Sequence, residues 1–400
     1  MRILLVNQFI SLEGGVERYL YDLCGHLIER NIQVVFLHGQ SSDTAPPPNI
    51  KSHCLPNLWQ QGKALSAKTQ RNPFQILTQE NPDVVYLQNI ENGAAMSLMR
   101  SCYPTVRFVH GPKTTCPDGK RWLHRPDAQC FYPLSKTCML RAHTRRCMPR
   151  LPTKAWRAFQ QSRQSLVATQ KLPALIVASH FMKEMLVLNH CSPERITVLP
   201  YFPQWGGEEW SPPTAPKSIL FVGRLREAKG ILGLIELLAR THSDITMSVV
   251  GDGLARQQAE ETVQRLGLEN RVTFHGWLMG KALKEAYQQN ALVVVPSLAP
   301  EAFGIIGLEA ATMCRPTVAF DVGGIGDWLK DSETGYLVRA GDFDQMKSRI
   351  EFLLRNPEKA RTMGLKARDY VEKHFSAESH LTELIRIFDS VREHRPQSLS

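Results

Sequence analysis

Two α/β domains, each built on a parallel sheet, are what this sequence predicts, and three observations predict them. Short apolar runs of strand length, such as Arg2–Asn7 (R-I-L-L-V-N) and Ala291–Val295 (A-L-V-V-V), alternate with segments of helical apolar spacing. Glycine turns follow several of those runs, at Gly14-Gly15, Gly223, Gly251-Asp252-Gly253 and Gly323-Gly324. The 400 residues exceed one ordinary core and suit two domains of about 200 residues each.

The boundary follows from composition. Residues 203–217 (P-Q-W-G-G-E-E-W-S-P-P-T-A-P-K) are dense in Pro and Gly, as a linker is. The expected domains are therefore 1–202 and 218–375, with a helical stretch over 376–400 open to packing back on the first. An apolar fraction of 43% fits a soluble globular enzyme. No apolar run reaches the roughly 18 residues a membrane-spanning helix needs. The start, M-R-I-L-L-V-N-Q, lacks a small-residue cleavage site and reads as a buried strand. Nine cysteines, an odd number, do not indicate a small disulfide framework, so a cytoplasmic location is the expectation.

The formal charge of +10 is unevenly spread. Residues 128–183 contain no Asp or Glu, while Lys136, Arg141, Arg145, Arg146, Arg150, Lys154, Arg157 and Arg163 lie among them. Two readings stand: a solvated basic face, or attraction to an anionic membrane surface or polyphosphate-bearing acceptor. In the second, each Lys or Arg near the surface contributes about 1 kcal/mol. Nucleic acid as a partner has no supporting module.

Taken in order, Arg2–Asn7 makes the first strand, and the helix after Gly14-Gly15 carries Val16, Leu20, Leu23 and Leu27 on one face. Strands follow at Val34–Leu37, Asp83–Leu87 and Thr105–Val109. His110 stands at the carboxyl end of the last, a better position for a site than for a core. Between Cys102 and the helix at Trp156–Gln170 lies an atypical insertion, about 112–153, that suggests a flexible lid or acceptor loop. Its Cys116, Cys130, Cys138 and Cys147 are spaced by 14, 8 and 9 residues, with His124 and His143 between them. Structural zinc sites usually bring ligand pairs closer in sequence. Ordinary reduced thiols, a metal or redox staple, and thiol chemistry all remain open. Ala174–Ala178 and Ile196–Pro200 complete the strands of the first domain.

The second domain opens with Ser218–Val222 and then G-R-L-R-E-A-K-G. Arg224 offers a planar fork and Lys229 a point charge for a diphosphate. Strands at Met247–Val250, Arg271–Phe274, Ala291–Val295 and Thr317–Phe320 follow, then a helical tail from Met346. Between the last two strands lies P-E-A-F-G-I-I-G-L-E-A, which sets Glu301 and Glu309 eight positions apart. A helix starting near Gly304 would place Glu309 more than one turn in, facing the same cleft as Glu301. Ligands of such sheets sit outside the carboxyl ends of the strands. The Asp342-Phe343-Asp344 triplet stands at a helix start and reads as capping and not as a metal motif.

The ordered set G-G-V-E-R, G-R-L-x-x-x-K-G, V-V-G-D-G, F-H-G-W, P-S-L-A-P-E-A-F-G-I-I-G-L-E-A and D-V-G-G-I resembles the retaining glycosyltransferases of family 4 over most of the chain. That resemblance implies the GT-B fold, two Rossmann-like domains whose parallel sheets face a central cleft. It implies a nucleotide-diphosphate sugar donor, UDP- or GDP-linked, and a glycan or lipid-linked acceptor, in polysaccharide or glycoconjugate synthesis at the inner face of a membrane. No cofactor or metal is implied. Arg224 and Lys229 would neutralise the diphosphate, beside Gly223. Glu301 would hold donor-sugar hydroxyls, with the backbone of Phe303, Gly304 and Ile305 around sugar and phosphates. Glu309 would hold the ribose, Gly15 would approach the diphosphate, and His110 would stand beside the reacting sugar. Preorganised cations and amides would stabilise the departing diphosphate, whose oxygen would help deprotonate the acceptor on the same face.

Two positions depart from the pattern: Tyr201-Phe202 replace a frequent Asn-Gly, and Gly326 replaces a Pro. A nucleotide-sugar epimerase and a non-catalytic sugar-nucleotide-binding protein are the alternatives. A glycosidase-like use of the two carboxylates fits poorly with the phosphate-type turns.

Overall fold

The computed structural model describes residues 1–10, 14–41, 50–55, 67–124, 127–148 and 151–393. Four residues of the 112–153 insertion, Arg150 among them, and residues 394–400 therefore lie outside the described residues. The chain divides into two compact units. The first comprises Met1–Pro126, Cys130–Tyr201 and Ala377–Ser400; the second comprises Asp127–Gln129 and Phe202–Ser376.

The first unit holds a seven-stranded parallel sheet. In space its strands run Lys51–Cys54, Gln33–Ser41, Arg2–Ile10, Val84–Leu87, Thr105–Phe108, Ala174–Val177 and Ile196–Val198. Leu4 pairs with Val35 on one side and Val85 on the other. Both faces are covered by helices, so Ile3, Leu4, Leu5 and Val6 are all fully buried and the strand reads as a continuous apolar run. Strand order reverses between Arg2–Ile10 and Val84–Leu87. The strand Lys51–Cys54, only partly buried, has no apolar run to announce it. The helix Gly93–Cys102 likewise went unread; the Asn92 side chain caps it by accepting from the Ala94 and Ala95 N–H groups.

The second unit holds a six-stranded parallel sheet ordered Val272–Gly276, Thr246–Val250, Ala215–Val222, Asn290–Val295, Thr317–Phe320 and Gly335–Val338. This is the doubly wound order, with its switch point between Ala215–Val222 and Asn290–Val295. Three helices follow, Phe343–Arg355, Pro357–His374 and Ala377–Arg392. Asp342 caps the first of them, accepting from the Gln345 N–H at 2.9 Å, as the capping reading expects.

The helix Ala377–Arg392 belongs to the first unit. His380 Nδ1 donates to the Pro200 carbonyl at 2.7 Å, which leaves Nε2 to accept from the Tyr19 hydroxyl at 2.8 Å. Phe388 packs edge-on against Tyr86 with ring centroids 5.0 Å apart.

One local expectation needs correction. The helix after Glu301 starts at Ile306, because Gly304 sits at φ 91°, outside helical space, so Glu309 falls in the first turn. The insertion carries regular structure of its own. Its described residues include the strand Trp122–His124 and the helix Thr137–Thr144, which packs on the helix Pro152–Gln170.

Candidate active site

The second unit places its candidate residues at the switch point of its sheet. The chain leaves the strand Ala215–Val222 at Gly223 and passes through a single 3-10 turn, Glu227–Lys229. The loop after Asn290–Val295 lies against that turn, since the Leu298 and Ala299 N–H groups both donate to the Ala228 carbonyl at 3.0 and 3.1 Å. Two loops far apart in sequence are thereby held side by side, and their side chains meet.

Lys229 Nζ lies 2.6 Å from Glu301 Oε1. The Ser297 hydroxyl donates to the same carboxylate oxygen. The Glu301 side chain is 13% exposed and that of Lys229 33%, so the pair is shielded but reachable from solvent. Such partial shielding strengthens a charge pair relative to an exposed one.

The backbone of Glu301 is fixed as firmly as its side chain. Glu301 forms a parallel bridge with Gly323, and the Gly324 N–H donates to the Glu301 carbonyl at 2.8 Å. Gly323 has φ 62°, and a Cβ there would stand 2.1 Å from the Glu301 carbonyl oxygen. Only glycine fits that approach without displacement. Phe303 is buried, and its carbonyl accepts from Trp328 Nε1 at 2.6 Å. Gly304 and Ile305 precede the helix ladder, which opens with the Gly307 N–H donating to the Gly304 carbonyl.

Glu309 has a different setting. It is 4% exposed, and the Tyr287 hydroxyl donates to its Oε2 at 2.6 Å. Arg224 is exposed. Lys229, Glu301 and Ser297 are thus brought into contact, whereas Glu309 is held separately by a tyrosine from the helix Gly280–Gln289.

In the first unit, Gly15 opens the helix Gly15–Glu29, and His110 lies two residues beyond the strand Thr105–Phe108. His110 is buried, with Nδ1 2.7 Å from the Tyr201 hydroxyl and Nε2 2.7 Å from Gln88 Oε1. Its ring stacks on Phe108, with centroids 4.3 Å apart, and is nearly parallel to Tyr201 at 7°. Burial, with the Arg107 charge as a second cause, pushes its pKa down to about 3. The imidazole is neutral at physiological pH, and both its nitrogens are engaged within the unit. That leaves it as an aromatic wall whose tautomer is set by Gln88 and Tyr201.

Sequence reasoning missed Ser297, Tyr287, Gln88 and Tyr201. Ser297 carried a usable signal, standing four positions before Glu301 in P-S-L-A-P-E. Tyr201 was visible only as a departure from a pattern. Tyr287 and Gln88 carried none, since their partners come from distant elements.

Comparison with known proteins agrees with this architecture. Residues 208–370 match the family model for glycosyl transferases group 1, and residues 13–202 match that for Glycosyltransferase Family 4. The alpha-D-kanosaminyltransferase of Streptomyces kanamyceticus is 32% identical over 176 residues, covering 43% of this chain and 45% of that protein. The chain spans less than half the length of the curated relatives it matches. Among solved structures, the Anabaena protein HepE in complex with UDP and glucose superposes with a TM-score of 0.72 at 19% identity, covering 98% of this chain and 100% of that one. Sucrose-phosphate synthase from Thermosynechococcus elongatus gives a TM-score of 0.74 at 18% identity, with 98% of each chain covered. At such identities the superpositions speak for the fold, and the two family models speak for descent. The chain belongs to the family 4-type group 1 glycosyltransferases and has their GT-B fold.

Proposed function

We propose that this protein transfers a hexose from a nucleotide-diphosphate sugar to a glycan or lipid-linked acceptor, with retention at the anomeric carbon and without a metal. The observation that carries the reading is the Lys229–Glu301 contact at the switch point, supported by Ser297 and by the Gly323 backbone. An ammonium has three donors, so Lys229 can keep Glu301 and still reach a phosphate oxygen. Arg224, exposed in the loop that leads into the Glu227–Lys229 turn, adds a bidentate partner for the second phosphate. Charge develops on the diphosphate as the anomeric bond breaks, and preformed cations are worth most there. Glu301, anchored through both backbone and side chain, then orients sugar hydroxyls, and Glu309 the ribose. His110, neutral at physiological pH and with both nitrogens engaged, takes no proton. UDP is the favoured nucleotide, because a structural relative was solved with UDP and glucose.

The same reading sets the enzyme against an anionic membrane through residues 128–183, in polysaccharide or glycoconjugate synthesis at the inner face of the membrane. Lys136, Lys154, Arg157 and Arg163 are exposed there, beside Leu140, Leu151 and Trp156. Basic side chains around exposed apolar ones suit a lipid headgroup layer. No described helix is long and apolar enough to cross a membrane.

A thermal-shift screen of nucleotide sugars tests the donor assignment, since a ligand at 100 times its Kd stabilises by about 2.7 kcal/mol. Slow donor hydrolysis with the same compound is the expected companion. If no nucleotide sugar stabilises the protein or is turned over, the reading fails. Sedimentation with vesicles containing anionic lipid tests the surface: binding should fall with salt and with Lys154→Glu/Arg157→Glu, and unchanged binding would remove the membrane from the account.

A further inference from the structure

The insertion's four cysteines, scattered in sequence, converge in space. Cys116, Cys130, Cys138 and Cys147 all line one cavity of about 20 Å³ in the first unit, with Arg121 and Arg141 beside them. Each is a free thiol. Cys116 opens a Cys-Pro-Asp-Gly turn closed by the Gly119 N–H donating to its carbonyl at 2.9 Å. The N–H groups of Asp118 and Arg121 hydrogen-bond its sulfur. Cys130 is tied back to the same turn, its N–H donating to the Arg121 carbonyl at 2.6 Å. Cys138 stands in the first turn of the helix Thr137–Thr144, and Cys147 packs with Ala142, Met148 and Ala155 just beyond it.

A thiol cluster of this kind needs a reason to be walled by arginine. Arg121 is 1% exposed and its guanidinium donates to the carbonyls of Cys130, Tyr132 and Thr115, at 3.1, 2.7 and 3.0 Å. Its Nε is buried without a partner. Arg141 stacks on Tyr132 with Nη1 3.9 Å from Cys138 Sγ. Carbonyls satisfy its hydrogens but not its charge, neutral thiols give that charge nothing to neutralise, and Asp118, the carboxylate lining the same cavity, is paired with Lys120 at 3.2 Å.

We propose that Cys116, Cys130, Cys138 and Cys147 bind one thiophilic divalent cation, zinc, in a closed structural site. Four thiolates around a divalent ion carry a net charge of −2, and Arg121 and Arg141 balance it. Binding displaces four protons from the thiols to solvent, and no electron is moved. The cavity is about the size of one water, which suits an ion with sulfur ligands at roughly 2.3 Å. Among the described residues no three potential ligands already stand as a complete metal-binding group. The sulfurs must therefore draw in by side-chain rotation when the ion enters. N–H groups aimed at a ligating sulfur are the usual second layer of such sites.

The full-length chain, purified under reducing conditions without a polyhistidine tag, should contain about one zinc per chain by elemental mass spectrometry. Titration with p-mercuribenzoate should release it to a chromogenic chelator. Refolding with cobalt(II) should give the intense visible bands of tetrahedral thiolate coordination. Cys130→Ser and Cys138→Ser should lower metal content at least tenfold, while Cys314→Ser, outside the cavity, should leave it intact. If the serine variants misfold, the cobalt spectrum of the unaltered chain still decides. Absence of metal together with failure to take up zinc or cobalt would overturn the proposal. So would intact-mass loss of two hydrogens per cysteine pair without reductant, which would identify disulfides instead. None of these readouts depends on sugar transfer.

Discussion

The Tyr201 hydroxyl lies 2.7 Å from His110 Nδ1, and the two rings are within 7° of parallel. The residue that breaks the family pattern after Pro200 is thus a partner of the residue most exposed to mechanistic interpretation. Removing the hydroxyl with Tyr201→Phe leaves a buried ring nitrogen without its hydrogen bond. The expected loss is about 1–3 kcal/mol in urea unfolding, with the slope of the transition unchanged.

A second prediction concerns pH. His110 and His380 have pKa values pushed down to about 3 and about 4 by burial, against about 6.5 in the unfolded chain. Their stability contribution is therefore complete above pH 6.5 and is lost as pH falls toward the folded values, because in that window these two side chains take up protons only when unfolded. Each histidine should cost about 2 kcal/mol between pH 6.5 and 5. Urea midpoints at the two pH values should show this for the wild type, less the opposing contribution of Asp22, whose pKa burial raises to about 6, and His380→Gln should flatten the dependence by half or more. An equal slope in the variant would remove His380 from the explanation.

Lys229 and Glu301 should separate in their effects on ligands. Lys229→Ala is expected to weaken UDP binding at least tenfold by calorimetry, since a charge-assisted contact contributes about 1.5–3 kcal/mol. Glu301→Ala should leave UDP affinity within about threefold while lowering turnover of the UDP-sugar by two orders of magnitude or more, as expected for a group that orients the sugar. Equal losses of UDP affinity in both variants would contradict that division of labour.

At Gly323 the backbone itself is open to test. Gly323→Ala forces a Cβ against the Glu301 carbonyl and strains a positive φ. The expected destabilisation is about 1–3 kcal/mol, read as a lower Tm, together with reduced turnover from a displaced Glu301. Gly341→Ala, also at positive φ but with nothing near its Cβ, separates backbone strain from collision.

Much of this architecture was legible from residues 2–7 or 291–295 because strands buried on both faces must be apolar throughout. Lys51–Cys54 was not, since it is a partly buried edge strand in which apolar pattern has little to report. Around the site, Lys229 and Glu301 could be read because local turn chemistry marks them. Tyr287, Gln88 and Tyr201 could not, because hydrogen bonds between residues 22 or 91 positions apart leave no local trace.

The anchoring of His380 to Tyr19 and Pro200 bears on the order in which the protein is made. The first unit cannot bury that face until Ala377–Arg392 has emerged, and all of Phe202–Ser376 is synthesised before it. At about 5–20 residues per second, that is a wait on the order of ten seconds or more. The second unit, almost wholly continuous in sequence, is free to close first. For this chain, the half that leaves the ribosome earliest is the half that finishes folding last, and in the meantime it presents Tyr19, Tyr86 and their neighbours to whatever meets nascent chains.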